Sequence, residues 1–112
     1  MKALNVAVVG ALGAVGAEMI RTLEQSNFNI SRLFPLDISS KAGSRILYKG
    51  TEVVVGAAEA GAFRDVDIAL FSAGADASLA LAPMAVSEGA VVIDNSSAWR
   101  SGSRCSAAIQ RP

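Results

Sequence analysis

Three glycines, Gly10, Gly13 and Gly16, stand three residues apart in the stretch VAVVGALGAVGAEMI, residues 6–20. Glycine at this spacing, between an apolar run and an amphipathic one, suits the cradling of a phosphate. The first allows a sharp turn. The second lets backbone approach a pyrophosphate with no Cβ in the way. The third lets a helix pack close to a strand. N–H groups at the helix start then face the phosphates, and the helix dipole favours their charge. The candidate cofactor residues here are Gly10, Leu12, Gly13, Ala14, Val15 and Gly16. The order differs from G-x-G-x-x-G, and the alternative is a tight strand-to-helix turn that binds nothing.

Asp37 follows Gly16 by 21 residues. An acidic side chain there holds a ribose 2′-hydroxyl and favours NAD. Ser39, Ser40 and Lys41 come next, and they suit a 2′-phosphate and NADP instead. Asp and Ser also shape turns without any ligand. The residues alone leave NAD and NADP even.

The elements that must position these groups read as alternating strands and helices. Leu4–Val9 is short, apolar and β-branched, as a strand buried on both faces should be. Residues 14–24 read as a helix with Val15, Met19, Ile20 and Leu23 on its buried side. Leu33–Ile38 is a second strand, with Pro35 arguing for an irregular or edge position. RILYKGTEVVV reads as a hairpin turning at Lys49–Gly50. Asp67–Ser72 and residues 90–94 are further buried strands. Residues 75–87 form a helix that Pro83 kinks or opens as a first turn. The pattern predicts an α/β domain, Rossmann-like and doubly wound on a mainly parallel sheet. It covers residues 1–100, and SGSRCSAAIQRP, residues 101–112, reads as an irregular tail.

Composition narrows the function. The 112 residues are 52% hydrophobic and carry ten basic and ten acidic side chains, so charge points to neither nucleic acid nor an anionic membrane as partner. One cysteine, Cys105, and no histidine leave no basis for a metal cluster or an internal disulfide. The short apolar run before Gly10 is no signal peptide or membrane span. The expectation is a soluble, cytoplasmic chain.

Several segments together, NVAVVGALGAVGAEMI, SSKAG, VDIALFSAGADAS and GAVVIDNSSAWR, resemble the aspartate-semialdehyde dehydrogenase family from about Asn5 to Arg100. The resemblance implies NADPH-dependent reductive dephosphorylation of L-aspartyl 4-phosphate, on the route to lysine, methionine and threonine, by a homodimer or homotetramer. A cysteine thiolate would form a thioacyl intermediate that hydride resolves. By the resemblance, residues 10–16 hold the pyrophosphate, and Leu12 stands where the family usually has Thr. Residues 39–43 lie at the adenosine phosphate. Asp37 stands where the family more often has a small residue, and a carboxylate repels a 2′-phosphate, so NAD stays open beside NADP. Ser72, Ala73 and Gly74 line the cofactor toward the nicotinamide, Asn95 and Ser96 face the active site, and Arg100 binds the substrate phosphate. For Ser96 and Ser97 a strand-end cap, and for Trp99 ordinary packing, are the simpler roles.

The family's nucleophile lies in an Asn-Cys motif and its general base is a histidine. This sequence has neither, and the SRCSA setting of Cys105 does not match. The expectation is therefore an incomplete N-terminal lobe that holds nucleotide without turnover, with a sheet edge left bare and prone to aggregation. Codons for residues 101–107 exist that, read one base later, give Arg-Asp-Pro-Asp-Val-Pro, close to the family's continuation; a frameshifted or interrupted gene is the expected cause. The alternatives are an N-acetyl-gamma-glutamyl-phosphate reductase-like enzyme, which SAG and NSSAWR disfavour, and a nucleotide-binding module without catalysis.

Overall fold

Val6, Ala7, Val8 and Val9 are all buried, as a strand covered on both faces requires. In the computed structural model, which describes residues 3–26, 29–37, 42–72, 75–94 and 108–110, they belong to strand β1, Leu4–Val9. Helix α1, Ala14–Gln25, follows, then β2, Ile30–Asp37. A hairpin of β3, Arg45–Tyr48, and β4, Thr51–Val54, stands apart from the main sheet. Then come β5, Gly56–Ala57, β6, Ile68–Phe71, helix α2, Ala75–Ser87, β7, Val91–Asp94, and β8, Ala108–Gln110. The six-stranded sheet has the order β5-β2-β1-β6-β7-β8. Every pairing is parallel except β7 with β8. This is the Rossmann-like, mainly parallel α/β architecture expected. Among the described residues no helix is long and apolar enough to cross a membrane.

Strand residues alternate between two cores. Ala7, Val9, Ala69, Phe71 and Val92 face α2, whose Ala82 and Ala85 are small enough to let it sit close. Val6, Val8 and Leu33 face α1 through Ile20 and Leu23. The first core also takes Phe63 and Val66 from the segment between β5 and β6. Glu88 holds that segment: its carboxylate accepts the Gly61 N–H at 2.7 Å and the Phe63 N–H at 2.9 Å. Glu88→Ala leaves both donors without this acceptor and should cost about 2–3 kcal/mol. Hydrogen exchange at the Gly61 and Phe63 amides should accelerate more than at β1 amides.

The α1 face of the sheet is covered only in part. Leu4, Val6, Ile30, Ile68, Leu70 and Ile93 line an apolar groove of about 190 Å³ near the amino ends of the strands. The sheet does not stop at β7, however. The segment read as an irregular tail supplies β8, which pairs antiparallel with Val92–Asp94. A three-residue strand carries no periodicity, so its partner alone defines it.

Other boundaries also move. The second strand begins at Ile30 rather than Leu33, and Pro35 lies buried within it. Leu36 turns its carbonyl to β1 and Asp37 turns its own to Ala58 beyond β5. Pro35, two residues from Asp37, therefore faces the β5 side at a level where β5 has not begun, and its missing N–H breaks no ladder bond. The hairpin turn is at Lys49–Gly50, both with positive φ, 52° and 82°, the type I′ geometry that suits strand twist. The final valine of RILYKGTEVVV lies outside the hairpin, and Gly56–Ala57 joins the main sheet instead. Pro83 lies in the interior of α2, past its midpoint, and not in a first turn.

Candidate functional site

The site is built where β1 ends. Gly10 has φ 88°, a left-handed value that L side chains rarely adopt, so the chain turns sharply there. The N–H groups of Gly10 and Ala11 both donate to the Leu36 carbonyl, at 2.8 and 3.1 Å. The loop is thereby pinned across the end of β2. Gly13 donates to the Gly10 carbonyl at 3.0 Å and closes the turn. The third glycine, Gly16, does what its place in the spacing predicts and lets helix and strand pack closely. A Cβ on Gly16 would overlap the Gly10 carbonyl oxygen and come within 2.8 Å of its carbon, so α1 can lie this close to β1 only with glycine there.

Gly13 is different. A Cβ there would meet only the Gly10 oxygen, at 3.4 Å, and the residue is exposed. The space above it is open to an approaching ligand. Gly13 is also the N-cap of α1 and brings no side-chain acceptor, and the first turn holds no acidic residue. The first helical bond runs from Ala17 to the Gly13 carbonyl. Among the described residues no acceptor meets the N–H groups of Ala14, Val15 and Gly16. Orphan donors at a helix start, with no acid in the way, suit an anion. Open glycine backbone and these donors together fit a dinucleotide pyrophosphate.

Val15 lies beside that opening and is 53% exposed. It does not join the buried side of α1 as its spacing suggested; Gly16, Ile20 and Leu23 do. Leu12 is half-buried, and its backbone donor is engaged: it bonds Asp37 Oδ2 at 3.0 Å. The Leu12 N–H is thus not among the open donors of the loop.

Asp37 ends β2, next to the loop and 7% exposed. Ser72 follows β6 and reaches the same place from the other flank. Its N–H donates to the Val9 carbonyl at 2.9 Å, and its hydroxyl donates to the same oxygen at 3.0 Å. Asp37, the glycine loop and Ser72 therefore converge at the carboxyl end of the sheet, around the central strand β1. Ligands bind in this crevice in open α/β sheets. Sequence reasoning missed the Leu36 carbonyl, which pins the loop. It is a backbone acceptor and leaves no side-chain signal. Ser39, Ser40, Lys41, Ala73, Gly74, Asn95 and Arg100 lie outside the described residues, as do Ser96, Ser97, Trp99 and Cys105.

Residues 5–109 match the family described as "Semialdehyde dehydrogenase, NAD binding domain". The aspartate-semialdehyde dehydrogenase of Bacillus subtilis is 52% identical over 99 residues, 88% of this chain and 29% of that protein. The enzyme of the same name from Legionella pneumophila is 45% identical over 97 residues, 87% of this chain and 28% of that protein. The crystal structure of aspartate semialdehyde dehydrogenase II from Vibrio cholerae, complexed with ASA, superimposes with a TM-score of 0.83. It is 40% identical and is matched over 88% of this chain and 32% of that one. The chain spans under a third of the length of these relatives.

Proposed function

This chain belongs to the semialdehyde dehydrogenase family through the NAD-binding domain of that family, and we propose that it is the cofactor-holding part of an aspartate-semialdehyde dehydrogenase. The reaction is the reductive dephosphorylation of L-aspartyl 4-phosphate to the 4-semialdehyde. The cofactor is a nicotinamide dinucleotide, NADP as the resemblance implies or NAD, and its bound nicotinamide supplies the hydride. The observation that carries this reading is the glycine loop: open backbone at Gly13 and orphan donors on Ala14, Val15 and Gly16, in the family's own domain.

The residues divide the work. Gly10 and Gly16 shape the loop, and the first turn of α1 binds the pyrophosphate. Ser72 fixes the end of β6 against β1. Arg100 takes the substrate phosphate, and Ala73, Gly74 and Asn95 lie toward the nicotinamide. The 112 residues hold no histidine, and Cys105 stands in SRCSA, so residues 1–100 bind nucleotide and this chain alone does not turn over. Dimer or tetramer formation and a cytoplasmic setting belong to the same reading.

Calorimetric titration of the purified chain with NADP and NAD should give saturable binding. The same chain should reduce no NADP when given semialdehyde and phosphate. Turnover would overturn the division of labour, and loss of all binding would overturn the site. Source DNA beyond codon 112, read in three frames, should encode an Asn-Cys motif and a histidine-bearing domain.

A further inference from the structure

We propose that the outward face of the β3–β4 hairpin docks a second copy of this chain across a two-fold axis. The inference is independent of the cofactor reading. In the hairpin Arg45 stands opposite Val54, and Leu47 stands opposite Glu52. Side chains alternate along each strand, so these residues share one face. Ile46 and Tyr48 turn the other way, onto the core that Ile20 and Leu23 fill. The outward side chains are open to water. Leu47 is 65% and Val54 58% exposed, and the side chains of Arg45 and Glu52 are 65% and 64% exposed. Among the described residues Val15 is the other exposed large hydrophobic side chain, so exposed apolar surface gathers on this face.

The pattern is complementary to itself. Arg45 and Glu52 occupy one diagonal of the face, and Leu47 and Val54 occupy the other. Two copies that meet face to face about a two-fold axis present the same patch to each other. An axis along the strands, or square across them, sets every charge against an apolar side chain. An axis along the Arg45–Glu52 diagonal sets like charge against like. An axis along the Leu47–Val54 diagonal does neither. It brings Arg45 to the partner's Glu52, Leu47 to the partner's Leu47 and Val54 to the partner's Val54. The two hairpins then cross nearly at right angles, one of the two ways in which sheets pack.

The charges are available for this contact. Arg45 meets Glu52 of its own chain through one nitrogen and one oxygen, 3.5 Å apart. Among the described residues nothing else engages the second oxygen of Glu52 or the remaining guanidinium N–H groups of Arg45. An exposed pair of this kind contributes little by itself. In the dimer two such pairs close into a ring of alternating charge, flanked by apolar contacts that exclude water. The face is smaller than the roughly 800 Å² per partner of a standard interface, so the contact is a transient one.

The test is sedimentation equilibrium of the 112-residue chain over a series of concentrations, with the fold of each variant checked by circular dichroism. The wild-type chain should show a reversible monomer–dimer equilibrium with a dissociation constant of roughly 0.1–1 mM. Arg45→Glu sets two anions against each other, and Glu52→Arg sets two cations. Each alone should raise the dissociation constant at least about tenfold. An equimolar mixture of the two variants restores both opposite-charge contacts and should associate as the wild type does. So should a chain that carries both substitutions. Rescue by mixing separates this surface from association through the apolar groove at the amino ends of the strands, which the reversals do not touch. A chain that stays monomeric, a dimer that neither reversal weakens, or a mixture no better than its components overturns the proposal and leaves the cofactor site as it stands. If either reversal does not fold, Leu47→Ser decides. It should raise the dissociation constant at least about tenfold, and an unchanged constant overturns the proposal.

Discussion

Gly16→Ala should unfold the chain or cost it more than about 3 kcal/mol, the largest effect expected of any single added methyl group. Overpacking usually costs about 1–3 kcal/mol because neighbouring side chains shift. Here nothing flexible can shift. The new Cβ would overlap the Gly10 oxygen, 2.8 Å from the Gly10 carbon and 3.0 Å from the Ala11 Cα, all of them backbone. That backbone is itself tied, since Gly10 and Ala11 both donate to Leu36. Relief requires α1 to move off β1, which opens the core that Ile20 and Leu23 fill. With total stabilities of small domains near about 5–15 kcal/mol, the loss is a large fraction. Urea unfolding should show it as a shifted midpoint or an absent transition. Gly13→Ala is the control. Its Cβ makes one ordinary contact, at 3.4 Å, so folding should survive while nucleotide affinity falls, because the methyl group occupies the open face of the loop. A stable, normally binding Gly16→Ala would show that the helix is not held at this distance.

Phe71→Ala should cost about 3–5 kcal/mol, the range for removing a fully buried phenyl ring. Phe71 and Phe63 are both fully buried, with ring centroids 6.1 Å apart and planes at 16°. They join the sheet to the segment that Glu88 clamps. Losing either ring leaves the other beside a void in a buried cluster rich in alanine, whose short side chains cannot extend to fill it. The double substitution should cost clearly less than the sum of the two singles, because the second ring has already lost its partner. Phe71 also immediately precedes Ser72, so the strap to the Val9 carbonyl should loosen and cofactor binding weaken with it. Denaturant midpoints of the two single variants and the double variant, with NAD and NADP titrations, check both parts.

These two sites also show how far sequence reading reaches. The β1–loop–α1 unit was legible because its signals are local: an apolar run, three glycines and an amphipathic helix within about twenty residues. The hairpin was legible for the same reason. Strands β5 and β8 were not. Two or three residues carry no period, and only a distant partner, Leu36–Asp37 for one and Val92–Asp94 for the other, makes them strands. Val15 misled because helical spacing ranks a residue by its neighbours on the helix. Its exposure depends on where the first turn stands, and Gly13, Ala14 and Val15 are all exposed there. Asp37 was found by its distance from Gly16, but its bond to Leu12 was not. A side chain reaching a backbone N–H across 25 residues leaves no trace in composition or period.

The strand order has a consequence during synthesis. β1 precedes both of its neighbours in the chain, yet it lies inside the sheet, between β2 and β6. Its first partner begins at Ile30 and its second at Ile68. At ribosomal speeds of about 5–20 residues per second, Leu4–Val9 waits roughly 3–12 s between its own emergence and that of its second neighbour. Both of its edges are open until β2 follows and one stays open until β6 does, and the phosphate loop meanwhile has no Ser72 to brace it. Nascent chains thus pass through a stage in which the segment that later organises the nucleotide crevice is the one most in need of a chaperone.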